Sequence, residues 1–271
     1  MKNKCSTVFL LYLVTFIKLS PLYSMNLTKE QKITLGKEIW KNETNKKEES
    51  LIFWNSNEKF LSLGIGHFIW YPVKSEKVFE QTFPNLLTLF KKRKILLPSW
   101  LNKAHKEGAP WKNKKEFDAA KKNNDSRLND LKKLLLNTTD VQTDFIIERL
   151  YKTWPKILKN APHNKRNTMK KNFEQLTKTY QGMFALIDYL NFKGTGINKN
   201  ERYKGQGWGL LQVLEAMPNQ ILPDQTVTEF FKAAKKILSL RVANAPINKK
   251  HESKWLQGWI KRISKYPTFN L

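Results

Sequence analysis

Leu51-Ile52-Phe53-Trp54-Asn55-Ser56-Asn57-Glu58-Lys59-Phe60-Leu61-Ser62-Leu63-Gly64-Ile65-Gly66-His67 is where the helical pattern of this chain gives way. Two apolar runs flank the tetrad Asn55-Ser56-Asn57-Glu58, which is rich in turn formers. That arrangement predicts a small hairpin or irregular sheet. On either side the apolar residues recur at helical spacing. Thr28 followed by Gln31 is a capping-box start, so a first helix should run to about Asn42. Further helices are expected over 76–94, 114–136, 140–159, 168–191, 209–216, 226–242 and 252–265, with Thr226 and Glu229 as a second capping box. Gly194 to Gly209 reads as a polar, Gly-rich connection, and 160–167 is a candidate linker, too short to suggest separate domains. The expected class is α+β, mainly α.

The chemistry is expected where the first helix meets the hairpin. On a wheel of about 100° per residue, Ile33, Leu35, Ile39 and Trp40 average about 280–290° from Ile33. Glu43 falls at about 280°, within that apolar face, and Glu38 at about 140°, on the side expected to meet solvent. A carboxyl ending a helix among apolar neighbours has its protonated form favoured by desolvation, which is how a general acid is prepared. The plain alternative is a helix-end residue that turns to water.

Composition removes several classes of protein. The chain has 271 residues, 49 Lys and Arg against 23 Asp and Glu, and a formal net charge of +26. An apolar fraction of 40%, with 9 Trp, 16 Phe and 8 Tyr, can offset the entropy of ordering and excludes a disordered chain. A lone Cys5 excludes a disulfide framework and Cys-based metal sites. Residues 1–24 read as a secretory signal: Lys2 and Lys4, an apolar run from Val8 to Ile17, then Leu22-Tyr23-Ser24. An uncleaved anchor is the alternative, and no later apolar stretch approaches the ~20 residues a span needs. Residues 25–271 then form one domain, keeping +23 of the +26 because the leader holds three Lys and no acid. A secreted or periplasmic protein with that field is expected to meet peptidoglycan or another anionic envelope polymer. Nucleic acid is the weaker expectation, since zinc-finger, RNP and KH motifs are absent from the sequence. No metal or organic cofactor is called for, and a monomer is expected.

Three segments carry a family resemblance. Ser62-Leu63-Gly64-Ile65-Gly66-His67 resembles the Thr-x-Gly-x-Gly-His segment of phage-type lysozymes, in which a glutamate ends the first helix and a small sheet follows. Phe184-Ala185-Leu186-Ile187-Asp188-Tyr189-Leu190-Asn191-Phe192-Lys193-Gly194 is similar to the central core helix of that family, whose Asn-x-x-Gly end lies at the active cleft. Trp255 with Gly258-Trp259-Ile260-Lys261-Arg262 is similar to its Arg-bearing C-terminal helix. The resemblance covers about a quarter of the chain beyond the leader and keeps the family's order. It implies a lysozyme-like fold, a helical bundle around a central helix with a small sheet near the N-terminus. It also implies Glu43 as catalytic acid and Asn191 and His67 at the cleft. No second His or acid sits beside His67 at metal-ligand spacing.

The departures are specific. The interval from Glu43 to Ser62 is about four residues longer than in the family, which enlarges the hairpin. The family's second carboxylate would fall near Ser56, which has none, and Glu58 could substitute. Otherwise one acid remains, as in goose-type lysozymes and lytic transglycosylases. Ser62 keeps the hydroxyl of the family's Thr and could orient water. Gly209-Leu210-Leu211-Gln212 is similar to the Gly-Leu-Met-Gln of lytic transglycosylases, and with Gln206 and Trp208 makes a second candidate sugar-binding segment. The alternative there is a structural loop whose Trp208 plugs the core. Trp54 and Trp70 flank the site in sequence and are candidate stacking platforms. The leading expectation is an exported muramidase or lytic transglycosylase. The rival is a non-catalytic lysozyme-like protein that binds cell-wall glycan or another envelope partner.

Overall fold

The computed structural model describes residues 27–44, 48–77 and 79–269. The expected leader, residues 1–24 with Cys5, lies outside them. The described chain is mainly helical with one three-stranded antiparallel sheet. Helix α1 (Lys29–Thr44) starts on the expected capping box: Thr28 N donates to Gln31 Oε1 at 2.9 Å, and Gln31 N to Thr28 Oγ1 at 3.2 Å. Strands β1 (Ile52–Phe53), β2 (Leu61–Leu63) and β3 (Phe68–Trp70) lie in chain order, with Ile52 opposite Leu63 and Leu61 opposite Trp70. Trp54 Nε1 donates to Glu58 O at 2.8 Å and braces the first turn. Gly64 turns the chain at φ 69°, a conformation open to glycine without strain.

Elsewhere local chemistry sets boundaries that apolar spacing hid. The helix expected over 76–94 is α2 (Phe83–Lys92), with Pro84 in its first turn, the position in a helix that proline favours. Residues 79–82 instead lie along the sheet: Ile69 N donates to Thr82 Oγ1 and Tyr71 N to Gln81 Oε1. Pro98 precedes an unforeseen short helix, α3 (Ser99–Glu107). The helix expected over 114–136 is two, α4 (Lys114–Lys122) and α5 (Ser126–Leu136). Asn124 at φ 52° breaks it, and Asp125 caps α5 by accepting from Arg127 N at 2.9 Å. Helix α6 (Thr139–Asn160) runs as expected. The pattern over 168–191 is likewise broken into α7 (Arg166–Thr177) and α8 (Tyr180–Lys193) by Thr179, whose hydroxyl accepts from Gly182 N at 3.0 Å.

Helix α8 is the central one. Its residues from Gly182 to Leu190 are all buried, and it touches α6, α7, α9 (Leu210–Ala216) and α10 (Thr226–Asn244). The second capping box does not form: the Thr226 hydroxyl turns back to Leu222 O, and Glu229 pairs with Lys232 at 2.7 Å. Helix α11 (Ser253–Ile263) packs on α10 and brings the end of the chain back to α1. One apolar cluster runs from Leu27 to Tyr266, so 160–167 separates no second core. No helix among the described residues is long and apolar enough to cross a membrane.

Candidate functional site

Glu43 stands in the last turn of α1, with its side chain 15% exposed. Its surroundings are polar, not the apolar ones expected from the wheel. Arg262 of α11 donates to Glu43 Oε1 at 2.6 Å, and Asn191 of α8 donates to the same oxygen at 3.2 Å. Glu43 Oε2 faces His67 Nδ1 at 3.6 Å. Glu38 differs from expectation too: its side chain is only 20% exposed and lies 3.8 Å from Lys41.

Arg262 is held from behind by Asp188, a fully buried acid in the middle of α8. The guanidinium Nε and Nη2 reach the two Asp188 oxygens at 3.0 and 2.8 Å. Tyr266 Oη and Asn42 Nδ2 also donate to this carboxylate. Burial works against the Arg262 cation, but Asp188 and Glu43 outweigh it and hold the group above its ordinary range. A lone Asp in the apolar run from Phe184 to Leu190 was the sequence signal for this network, since a charge at such a position needs a partner.

His67 follows the Gly64-Ile65-Gly66 turn with φ 49°, uncommon for a residue with a side chain. Gln142 of α6 fixes that turn by accepting from Ile65 N at 3.0 Å. Burial chiefly, and Arg262 further, push His67 below its usual range, while Glu43 pulls the other way. A neutral ring therefore faces Glu43 near pH 7. Its Nε2 is buried without a hydrogen-bond partner.

These groups open onto a cleft of about 490 Å³ lined by Glu43, Glu58, Ser62, His67 and Asn191, together with Glu80, Arg149 and Glu201, which sequence reading did not single out. Desolvation raises the Glu58 carboxyl above its ordinary range. Comparison with protein-family models, curated proteins and solved structures finds no match to this chain.

The remaining candidates lie off the cleft. Trp54 is 3% exposed against Phe117, and Trp70 is fully buried on Phe83, so neither ring offers a face to a sugar. Gln206 sits in a tight turn, where it exchanges backbone hydrogen bonds with Tyr203 and its side chain donates to Gly207 O. Gln212 is buried and clasps the Gly-rich connection, accepting from Gly209 N and donating to Gly196 O. Trp208 is 8% exposed beneath the Arg241 guanidinium, 4.1 Å from the ring centre. Glu252 accepts two bonds from Arg241 and one from the Tyr203 hydroxyl. Gln206, Trp208 and Gln212 thus fold the connection onto the body, as a structural loop does. Among the described residues, no group of three His, Cys, Asp or Glu side chains is placed to hold a metal ion.

Proposed function

We propose that the protein is an exported, lysozyme-like enzyme that cleaves glycosidic bonds of peptidoglycan, as a muramidase or a lytic transglycosylase, with Glu43 as general acid. The observation that carries this reading is the meeting of Glu43, Asn191 and Arg262. Their pairings span 148 and 219 residues of chain, and each comes from a region that entered through the family resemblance. Had Asn191 lain across the molecule from Glu43, the reading would have had no support.

The geometry suits proton delivery from one atom. Oε1 of Glu43 already accepts from Arg262 and Asn191, so a proton on this carboxyl belongs on Oε2, towards His67. Positive charge then develops on the sugar as the leaving oxygen takes that proton. Glu58 lines the cleft where it could balance that charge, although burial raises its carboxyl above the ordinary range. The substrate's own N-acetyl group is the alternative stabiliser, and Ser62 lines the cleft where it would orient a water. The 2.6 Å contact of Glu43 with Arg262 favours the rival, a glycan-binding protein without turnover, since a carboxyl oxygen committed to a guanidinium is one the substrate does not meet.

Product analysis by mass on purified peptidoglycan separates the two. Wild type should cleave, and Glu43→Gln should lose about 10²–10⁴-fold in rate while still binding. Glu30→Gln, on an exposed first-turn residue of the same helix, should change nothing. Equal cleavage by Glu43→Gln would remove Glu43 from the site. Binding without cleavage by either protein would establish the rival.

A further inference from the structure

Arg149 borders a second space besides the cleft. A second hollow of about 440 Å³ lies between α2 and α6, and Glu80, Thr82 and Arg149 line both spaces. On α6 the positions of Arg149, Lys152 and Lys156 follow one helical face, and Lys92 from the last turn of α2 also lines the hollow. Against these four cations stand two acids, Glu80 and Glu148. Both acids are partly engaged: Glu148 with Lys152 at 3.4 Å, and the mostly exposed Glu80 with Arg149 at 3.8 Å. Lys92 and Lys156 have no ion pair among the described residues.

Arg149 is the unusual member. Its Nε is buried without a hydrogen-bond partner, and the long contact to Glu80 repays little of the cost of partly desolvating the cation. Burial pushes its guanidinium down, and Glu80 only partly offsets this. A planar fork in that condition suits a carboxylate or phosphate taken by its terminal nitrogens.

We propose that this hollow is an anion subsite, adjoining the Glu43 cleft, which takes a carboxylate or phosphate group carried on the glycan strand. It rests on the glycan reading for the polymer's identity but not on turnover. Equilibrium binding tests it with three purified probes at low salt: chitohexaose, which is uncharged; glycan strands bearing peptide stems, which carry carboxylates; and strands bearing a phosphodiester polymer. Wild type should bind one of the anionic strands at least roughly tenfold tighter than chitohexaose, and which one identifies the anion. Lys152→Gln with Lys156→Gln should remove that preference while chitohexaose binding stays, and Arg149→Gln, at a residue that lines both spaces, should remove the preference too. Both lysines are exposed, so the pair decides the matter if Arg149→Gln fails to fold. Lys235→Gln with Lys236→Gln removes the same charge from an exposed face of α10 and should keep the preference. An unchanged preference in the Lys152/Lys156 variant, or an equal loss in the Lys235/Lys236 control, overturns the subsite. Wild type that binds chitohexaose but prefers no anionic strand overturns it while leaving the glycan reading intact. A preference that depends on Lys152 and Lys156 in a protein that cleaves nothing supports the subsite and sinks the catalytic reading.

Discussion

Asp188 and Arg262 show how a single pair can govern both stability and the site. Asp188 has no exposed surface and Arg262 very little, so each neutralises a charge that would otherwise be buried alone. Removing one partner of such a pair costs about 3–5 kcal/mol, and replacing both by apolar groups costs far less. Urea denaturation should therefore find Arg262→Met strongly destabilised and Asp188→Leu with Arg262→Met partly recovered. Lys193, beside them, has the opposite problem. Burial first, then Arg241 and Arg262, push its ammonium down to about 6, although Glu252 and Glu43 oppose this. The faces of Phe192 and Trp259, 3.9 and 3.5 Å from its Nζ, return about 0.5–2 kcal/mol, one pKa unit or so. A lysine lowered in the folded state binds fewer protons there than in the unfolded chain, so stability rises with pH between the two values. His67 acts in the same sense below its unfolded value of about 6.5. Tyr151 and Tyr180, pushed up to about 12 by burial, act in reverse above about pH 10, where unfolded tyrosines begin to ionise. The melting temperature should climb from pH 6 towards pH 9, and Lys193→Met should flatten that climb.

At the scale of elements, the approach of α1 to α6 sets where Glu43 and the β2–β3 turn can meet. Gly36 is a point of close approach: a Cβ there would run into the hydroxyl of Thr143 and sit 3.0 Å from Ile65 Cδ1. Thr143 is fully buried, β-branched and bonded to Thr139 O at 2.8 Å, so it cannot step aside. In an exposed helix interior, Gly to Ala gains about 0.8–1 kcal/mol. Here the sign should reverse, with Gly36→Ala losing about 1–3 kcal/mol in chemical denaturation through overpacking. The same crowding places Gln142 against the Gly64 turn, so α6 holds both the helix bearing the acid and the turn bearing His67.

For the whole molecule the dominant property is charge. With +26 on the full chain, attraction to a polyanionic matrix is long-ranged and screened beyond a Debye length of about 10 Å at 0.1 M salt. Retention on anionic cell wall should fall steeply between low and high salt. Retention indifferent to salt would make the lysine content incidental.

What could be read in the sequence was what acts over a few residues. The Thr28–Gln31 cap, the turn-rich tetrad at 55–58 and the helical spacing elsewhere predicted a mainly helical chain with a small sheet, because capping, turn chemistry and periodicity are local forces. The breaks at Asn124 and Thr179 were missed because apolar spacing continues across them, although Asp125 and Thr179 are the cap types that mark such breaks. Periodicity and spacing did not foresee the neighbours of Glu43, although the family resemblance implied Asn191 at its cleft. The wheel put it on an apolar face, yet α8 and α11 bring an amide and a guanidinium to it from 148 and 219 residues away. Tertiary packing likewise turned Trp54, Trp208 and Gln212 inward, since a ring or amide serves core and ligand equally well by type. Residue type states what a side chain is able to do. The packing of distant helices settles what it meets, because that contact depends on three-dimensional fit between segments whose own sequences carry no record of each other.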